Sequence, residues 1–109
     1  MREESACPAY LYKIVSPESW GESLLRNQFV PSAPDTDFIH LATAAQLPQI
    51  VQKFWSNQDH IILKLLSNKL TGRLVYEANP GGTNKYYHLY EGSIPLEAVV
   101  DITVHAISP

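Results

Sequence analysis

The chain has 109 residues and a mass of 12.2 kDa, which is the size of one domain. Hydrophobic residues make up 45% of it and charged residues 17%, a balance that excludes a disordered chain and a charged coiled coil. A formal net charge of −3 argues against a DNA-binding protein, whose surface would be basic. We expect one folded domain over residues 9–109, preceded by a flexible tail at residues 1–8.

The chain contains one cysteine, Cys7, so an internal disulfide and a cysteine-rich metal site are excluded by count. The first eight residues are polar and hold no apolar core of a signal sequence. The longest apolar runs are too short to span a bilayer. We therefore expect a cytoplasmic protein without membrane association, either a monomer or a small homo-oligomer.

The first predicted element is a strand over residues 9–15, which is rich in strand-forming residues. Ser16 and Pro17 follow it and are typical of a helix N-cap and first helical position. The pattern predicts a short amphipathic helix that ends at Asn27. Its buried face is expected to hold Trp20, Leu24 and Leu25.

A proline-containing loop at residues 31–37 leads into a short predicted strand at residues 38–41. Thr43 and Gln46 then have the spacing of a capping box, which predicts the start of a second helix. Pro48 offers an alternative start for the same helix. Its apolar stripe consists of Ile50, Val51, Phe54 and Trp55.

The rest of the chain is predicted to be mostly strands. They cover residues 60–66, 73–78, 86–90 and 99–107, with a loop at residues 79–84 and one helical turn at residues 95–98. Two early helices followed by several strands indicate the α+β class.

Four histidines are candidates for chemistry, and their settings differ. A surface role is expected for His60 and His105. His40 and His88 each interrupt an apolar or aromatic strand, where a buried imidazole needs a hydrogen-bond partner. Two such strands could bring both rings to one cleft as base and acid, although each histidine by itself is more typical of a structural role. The spacing of the histidines and the single cysteine predict no metal site.

Several other residues are candidates for contacting a ligand. Tyrosines such as Tyr12 and Tyr90 could stack on a planar ligand, with core or cross-strand packing as the alternative. Lys13 lies among apolar neighbours and could contact an anion, with a solvated position as the alternative. Arg73 borders the glycine-containing region and could meet a phosphate.

The residues around both histidines resemble a known family. The segments that carry the resemblance are residues 12–14 (Tyr-Lys-Ile), 38–47 (Phe-Ile-His-Leu-Ala-Thr-Ala-Ala-Gln-Leu), 87–90 (Tyr-His-Leu-Tyr) and 94–100 (Ile-Pro-Leu-Glu-Ala-Val-Val). They are similar to the domain of unknown function 952, from about Tyr10 to Val104, and this family has no established activity. The chain departs from the family pattern at Ala42, where serine is common, and at Tyr76, where tryptophan precedes the glutamate.

That family is thought to be distantly related to ADP-ribosyltransferase-like folds, in which a split, mostly antiparallel sheet surrounds a cleft that binds NAD. The resemblance implies that His40 and His88 occupy the second and third site positions and that Tyr12 or Lys13 occupies the first. Their implied role is to bind the ribose and to stabilise positive charge while the glycosidic bond opens. A glutamate is missing at the third position, although Glu91 lies three residues after His88. The full expected ligand-binding set is Tyr12, Lys13, Thr43, Arg73, Tyr90 and Glu91.

Three hypotheses follow from these residues. The first is a transferase or hydrolase that acts on NAD or an ADP-ribose-like nucleotide, with NAD as a candidate substrate and no cofactor assigned. The second is a module that binds a nucleotide or metabolite in the same pocket without converting it. The third is a structural or interaction protein, in which both histidines are buried and no cavity lies beside them.

Overall fold

The computed structural model describes residues 7–31, residue 35 and residues 37–106. Residues 1–6 of the predicted tail and residue 107 of the final predicted strand lie outside the described residues. The elements are β1 (Tyr10–Val15), α1 (Pro17–Arg26), β2 (Ile39–Leu41), α2 (Leu47–Ile50), β3 (His60–Leu66), β4 (Arg73–Ala78), β5 (Lys85–Tyr90) and β6 (Val99–His105).

The six strands form two antiparallel sheets of three strands each. The first sheet has the order β1–β3–β6 and the second the order β2–β5–β4. The sheets meet where Tyr12 and Ala42 exchange two backbone hydrogen bonds, of 2.8 and 2.9 Å. The bridge between Tyr12 and Ala42 places β1 next to β2. The expected α+β class with antiparallel sheets and two helices is confirmed.

One hydrophobic cluster connects both sheets with α1. Leu11, Leu63 and Leu65 supply fully buried side chains from the first sheet, and Leu89 does so from the second. Burial of large aliphatic side chains at this junction stabilises the two sheets as one domain. The cluster consists of Leu11, Val15, Trp20, Phe29, Ile39, Leu41, Ile61, Leu63, Leu65, Leu89, Ile94 and Ala98.

Helix α1 begins as the sequence predicts. The Ser16 hydroxyl accepts a hydrogen bond from the Ser19 N–H at 3.0 Å, and Pro17 occupies the first turn. The predicted buried face is wrong for Leu24 and Leu25, which are 55% and 85% exposed. Ser23 is buried with Trp20 instead. Its hydroxyl can be buried because it donates to the Ser19 carbonyl at 3.1 Å and accepts from the Val30 N–H at 2.9 Å.

The second helical region uses both predicted starts. The Gln46 side-chain oxygen accepts from the Thr43 N–H at 3.0 Å and a 3₁₀ turn follows at Ala44–Gln46, while α2 starts one residue before Pro48. The helix then widens into a π-helical turn at Val51–Trp55. Its predicted core stripe is wrong for Phe54, which is 60% exposed.

The surface position predicted for His60 is also wrong. This side chain is buried between Trp55 and His105, with ring-centroid distances of 5.8 and 4.8 Å. The pairing of β3 with β6 is the reason, because it places His105 directly opposite His60. Among the described residues, no helix is long and apolar enough to cross a membrane.

Candidate functional site

His40 and His88 are neighbours across the second sheet. They are direct partners in the antiparallel pairing of β2 with β5, and their ring centroids are 5.5 Å apart. Directly opposed residues in a sheet project to the same face. The strand register therefore brings together two histidines that the sequence separates widely.

His40 belongs to a hydrogen-bonded network at the edge of β2. Its Nδ1 lies 2.9 Å from Asp35 Oδ1, and its backbone N–H donates to the same oxygen at 3.1 Å. The second carboxylate oxygen of Asp35 lies 2.8 Å from Lys13 Nζ on β1. Lys13, Asp35 and His40 thus connect the two sheets at the point where they meet.

The environment of this network determines its charges. Burial by itself raises the pKa of Asp35, but the hydrogen bonds from His40 and the charge of Lys13 together hold that pKa well below its usual range. Burial lowers the pKa of Lys13, and the carboxylate of Asp35 opposes this effect. Asp35 is therefore a carboxylate at neutral pH, and the solvated alternative considered for Lys13 is wrong because this side chain is only 8% exposed.

His88 lies in a second network on the other side of the histidine pair. Its Nδ1 is 2.8 Å from Glu77 Oε2 and its Nε2 is 2.9 Å from Asn79 Oδ1. The Tyr90 hydroxyl donates to the same oxygen of Glu77. Phe38 stacks on the His88 ring at a centroid distance of 4.0 Å, so His88 is only 1% exposed.

The shared Glu77 carboxylate changes the acidity of its neighbours. The hydrogen bond from Tyr90, followed by the hydrogen bond from His88, lowers the pKa of Glu77. The same hydrogen bond to Glu77 raises the pKa of Tyr90. At neutral pH the pair therefore consists of a carboxylate and a phenol that donates to it.

A cleft of about 740 Å³ opens at the junction of the two sheets. Tyr12, Lys13, Asp35 and His40 contribute to its lining. The π-helical turn adds Phe54 and Trp55, and the loop of residues 79–84 lines the cleft together with Tyr86. A partly apolar concave surface with a few convergent polar groups is typical of a small-molecule site.

Only some of the predicted site residues line this cleft. Tyr12, Lys13 and His40 line the cleft, and His40 has a side chain that is 38% exposed. His88 does not line it, and its ring is covered by Phe38. Thr43, at the start of the second helical region, is also outside the cleft lining.

The remaining predicted ligand contacts form a separate surface group. Arg73 lies over the Tyr90 ring at 4.9 Å from the centroid and 3.8 Å from Glu91. None of these three residues lines the cleft. Arg73 is therefore not positioned to meet a phosphate in the cleft, and Glu91 does not replace the missing glutamate there.

Sequence reasoning did not identify Asp35, Glu77 and Asn79 as site residues. Asp35 comes from a loop whose position the local pattern does not determine. Glu77 carried a signal, because an acidic residue inside an otherwise apolar strand needs a partner. Asn79 directly follows that strand and begins the glycine-containing loop, which is a common place for a ligand contact.

Within residues 7–31, 35 and 37–106, no group of three or more histidine, cysteine, aspartate or glutamate side chains could hold a metal ion.

The chain belongs to the family described as a protein of unknown function (DUF952), whose sequence profile matches residues 14–102. It is similar to the crystal structure of protein CC0527 from Caulobacter crescentus, with 26% identity, a TM-score of 0.76, and coverage of 91% of this chain and 88% of that chain. The solution NMR structure of CC0527 aligns at 24% identity and a TM-score of 0.70, covering 93% and 88%. A search of curated proteins found none that matches.

Proposed function

We propose that the cleft binds NAD or an ADP-ribose-like nucleotide and that the protein is a small transferase or hydrolase acting on it, with an ADP-ribosyltransferase-like arrangement. The observation that carries the proposal is the position of His40, held by Asp35 at the junction of two sheets and exposed to a cleft with aromatic walls. The proposal includes a cytoplasmic location and a monomer or small homo-oligomer.

The shape and lining of the cleft support a nucleotide ligand. Its volume of about 740 Å³ is in the range of pockets that hold a small molecule of this kind. Tyr12, Trp55 and Tyr86 provide rings against which a planar base can pack. Lys53 supplies an exposed positive charge in the lining that suits a phosphate.

His40 has the geometry of a general base. Asp35 engages its Nδ1, which leaves Nε2 as the ring nitrogen available to a ligand, in the way that an aspartate orients a histidine in a hydrolase dyad. In the proposed reaction the bond between the ribose C1′ and the nicotinamide nitrogen breaks, and its electron pair leaves with nicotinamide. The oxygen of water or of an acceptor hydroxyl bonds to C1′, and its proton passes to His40 Nε2.

A binding module that does not convert its ligand is the second candidate. Of the described residues that line the cleft, Asp35 is the one carboxylate, and it is engaged by Lys13 and His40. A transferase of the implied type would use a carboxylate to stabilise the positive charge on the ribose. This observation favours binding over turnover, whereas the cleft beside His40 counts against a purely structural role.

Calorimetric titration with NAD and with ADP-ribose tests the proposal, together with chromatography for released nicotinamide. We expect binding to the unaltered protein and to His105→Ala, a histidine outside the cleft, and loss of binding in His40→Ala. Nicotinamide release by the first two proteins supports the enzyme, and binding without release supports the binding module. Absence of binding of both nucleotides to the unaltered protein overturns the proposal.

A further inference from the structure

Asn79 connects the buried histidine to the cleft. It is the first residue after β4 and lines the cleft at the start of the loop of residues 79–84. Its side-chain oxygen lies 2.9 Å from His88 Nε2, and its backbone oxygen accepts from the Gly82 N–H at 2.8 Å. Asn79 therefore touches the His88 network on one side and the wall of the cleft on the other.

The orientation of the His88 ring is fixed from two directions. Glu77 lies 2.8 Å from Nδ1, and Phe38 covers the face of the ring. Tyr90 in turn donates to the Glu77 carboxylate, which limits the rotation of that side chain. Because Phe38 and Glu77 hold the His88 ring in place, its other nitrogen, Nε2, is a rigid support for the Asn79 side chain.

This support determines which end of the Asn79 amide is available. In this arrangement His88 donates from Nδ1–H to Glu77 and from Nε2–H to Asn79 Oδ1, so the amide nitrogen Nδ2 is the remaining polar atom of the Asn79 side chain. No residue in the described part of the chain makes a hydrogen bond with it. An amide NH₂ group carries two donors and no acceptor, so the group that it can recognise is an acceptor oxygen.

We propose that Asn79 is a further ligand-binding residue, which donates from Nδ2 to an acceptor oxygen of the bound nucleotide, and that Glu77 and His88 are positioning residues for it. This inference rests on the proposed function and adds a contact to the same site. Two sources of the oxygen fit the chemistry, the carboxamide of the nicotinamide and the pyrophosphate. ADP-ribose has only the second of these, so the two nucleotides distinguish them.

The test uses four variants of the full chain. Asn79→Ala and Asn79→Asp both remove the donor, and the second keeps the shape and the oxygen that faces His88. Glu77→Gln weakens the support at a residue that is not in the cleft lining. Asn68→Asp is the matched control, since this exposed asparagine lies on the 3₁₀ turn at Ser67–Lys69, away from the cleft.

Calorimetry measures the binding of each variant to NAD and ADP-ribose. We expect both Asn79 variants to bind about tenfold more weakly, as for the loss of one well-formed hydrogen bond, and Asn68→Asp to bind normally. Weakening for NAD alone assigns the oxygen to the carboxamide, and weakening for both nucleotides assigns it to the ADP-ribose part that they share, which contains the pyrophosphate. Unchanged affinity in both Asn79 variants, with binding still lost in His40→Ala, overturns this inference and leaves the proposed function intact.

NMR of the ligand-free protein tests the positioning role separately. We expect the two side-chain NH₂ proton signals of Asn79 to shift in Glu77→Gln but not in Asn68→Asp, because the change at Glu77 alters the support that holds the amide. Signals of Asn79 that remain unchanged in Glu77→Gln refute the positioning role. If neither nucleotide binds the unaltered protein, the proposed function and the ligand contact fail together, and this measurement alone decides the role of Glu77 and His88.

Discussion

Replacement of Asp35 by asparagine removes the negative charge from the buried network while keeping the side-chain shape. The perturbed pair is buried, with the Lys13 and Asp35 side chains 8% and 1% exposed and their charged atoms 2.8 Å apart. Removing one partner of a buried ion pair typically costs about 3–5 kcal/mol, because the other charge stays buried without compensation. That cost is a large share of the roughly 5–15 kcal/mol by which a domain is stable.

Urea unfolding at pH 7, followed by tryptophan fluorescence, measures this loss. Asp37→Asn is the matched control, because the side chain is exposed two residues further on, and we expect its effect to lie within about 0.5 kcal/mol. Adding Lys13→Met to Asp35→Asn should recover part of the loss, since it removes the uncompensated charge. A loss below about 1 kcal/mol in Asp35→Asn refutes the idea that the pair is buried and coupled.

The pH dependence gives a second check with a defined sign. The pKa of Asp35 is lowered on folding, so its contribution to stability is fully present above its unfolded value of about 3.9 and is lost as the pH falls towards its folded value. The difference in unfolding free energy between the unaltered protein and Asp35→Asn should be constant above about pH 5 and shrink below about pH 4. A difference that stays constant down to pH 2 contradicts this reasoning.

Three further predictions concern other parts of the molecule. Gly92→Ala should destabilise the fold by about 3 kcal/mol in urea unfolding, because an added Cβ would lie 1.8 Å from the Thr71 carbonyl oxygen. Normal stability of this variant would mean that the backbone at Gly92 can move away from Thr71. Leu25→Lys should change the unfolding free energy by less than about 0.5 kcal/mol, since this leucine is largely exposed, and a large loss would indicate a covering surface. Tyr90→Phe removes the hydrogen bond that is the main cause of the lowered pKa of Glu77. NMR of the side-chain carboxyl groups should therefore show Glu77 titrating at higher pH in this variant. An unchanged titration would show that Tyr90 does not donate to Glu77.

The accuracy of the sequence-based predictions varies with how local their cause is. The strands at residues 60–66 and 73–78 have the predicted bounds, and the Ser16 cap and the loop at residues 79–84 are also found where expected. Propensity, capping and turn preferences act over a few residues, so the sequence pattern is sufficient for them. The buried face of α1 was mispredicted because it depends on which other elements cover the helix.

The candidate site shows the same difference between features with a local cause and features that depend on distant parts of the chain. His40 and His88 could be singled out because each interrupts an apolar strand, but their contact depends on the pairing of β2 with β5. Asp35 and Asn79 could not be assigned, since one lies in a proline-containing loop and the other at the end of a strand. Their roles follow from distances across strands and loops that no local pattern encodes.

By itself, the sequence determined the α+β class, most strand positions, the start of the first helix and the candidate histidines. These features depend on residue preferences and on side-chain periodicity within one element. Only the tertiary structure decided that Lys13 is buried against Asp35, that His40 lines the cleft and that His88 is stacked under Phe38 outside the cleft lining. The reason is that burial and ion pairing depend on strand register and on the junction of the two sheets, which bring together residues far apart in the chain.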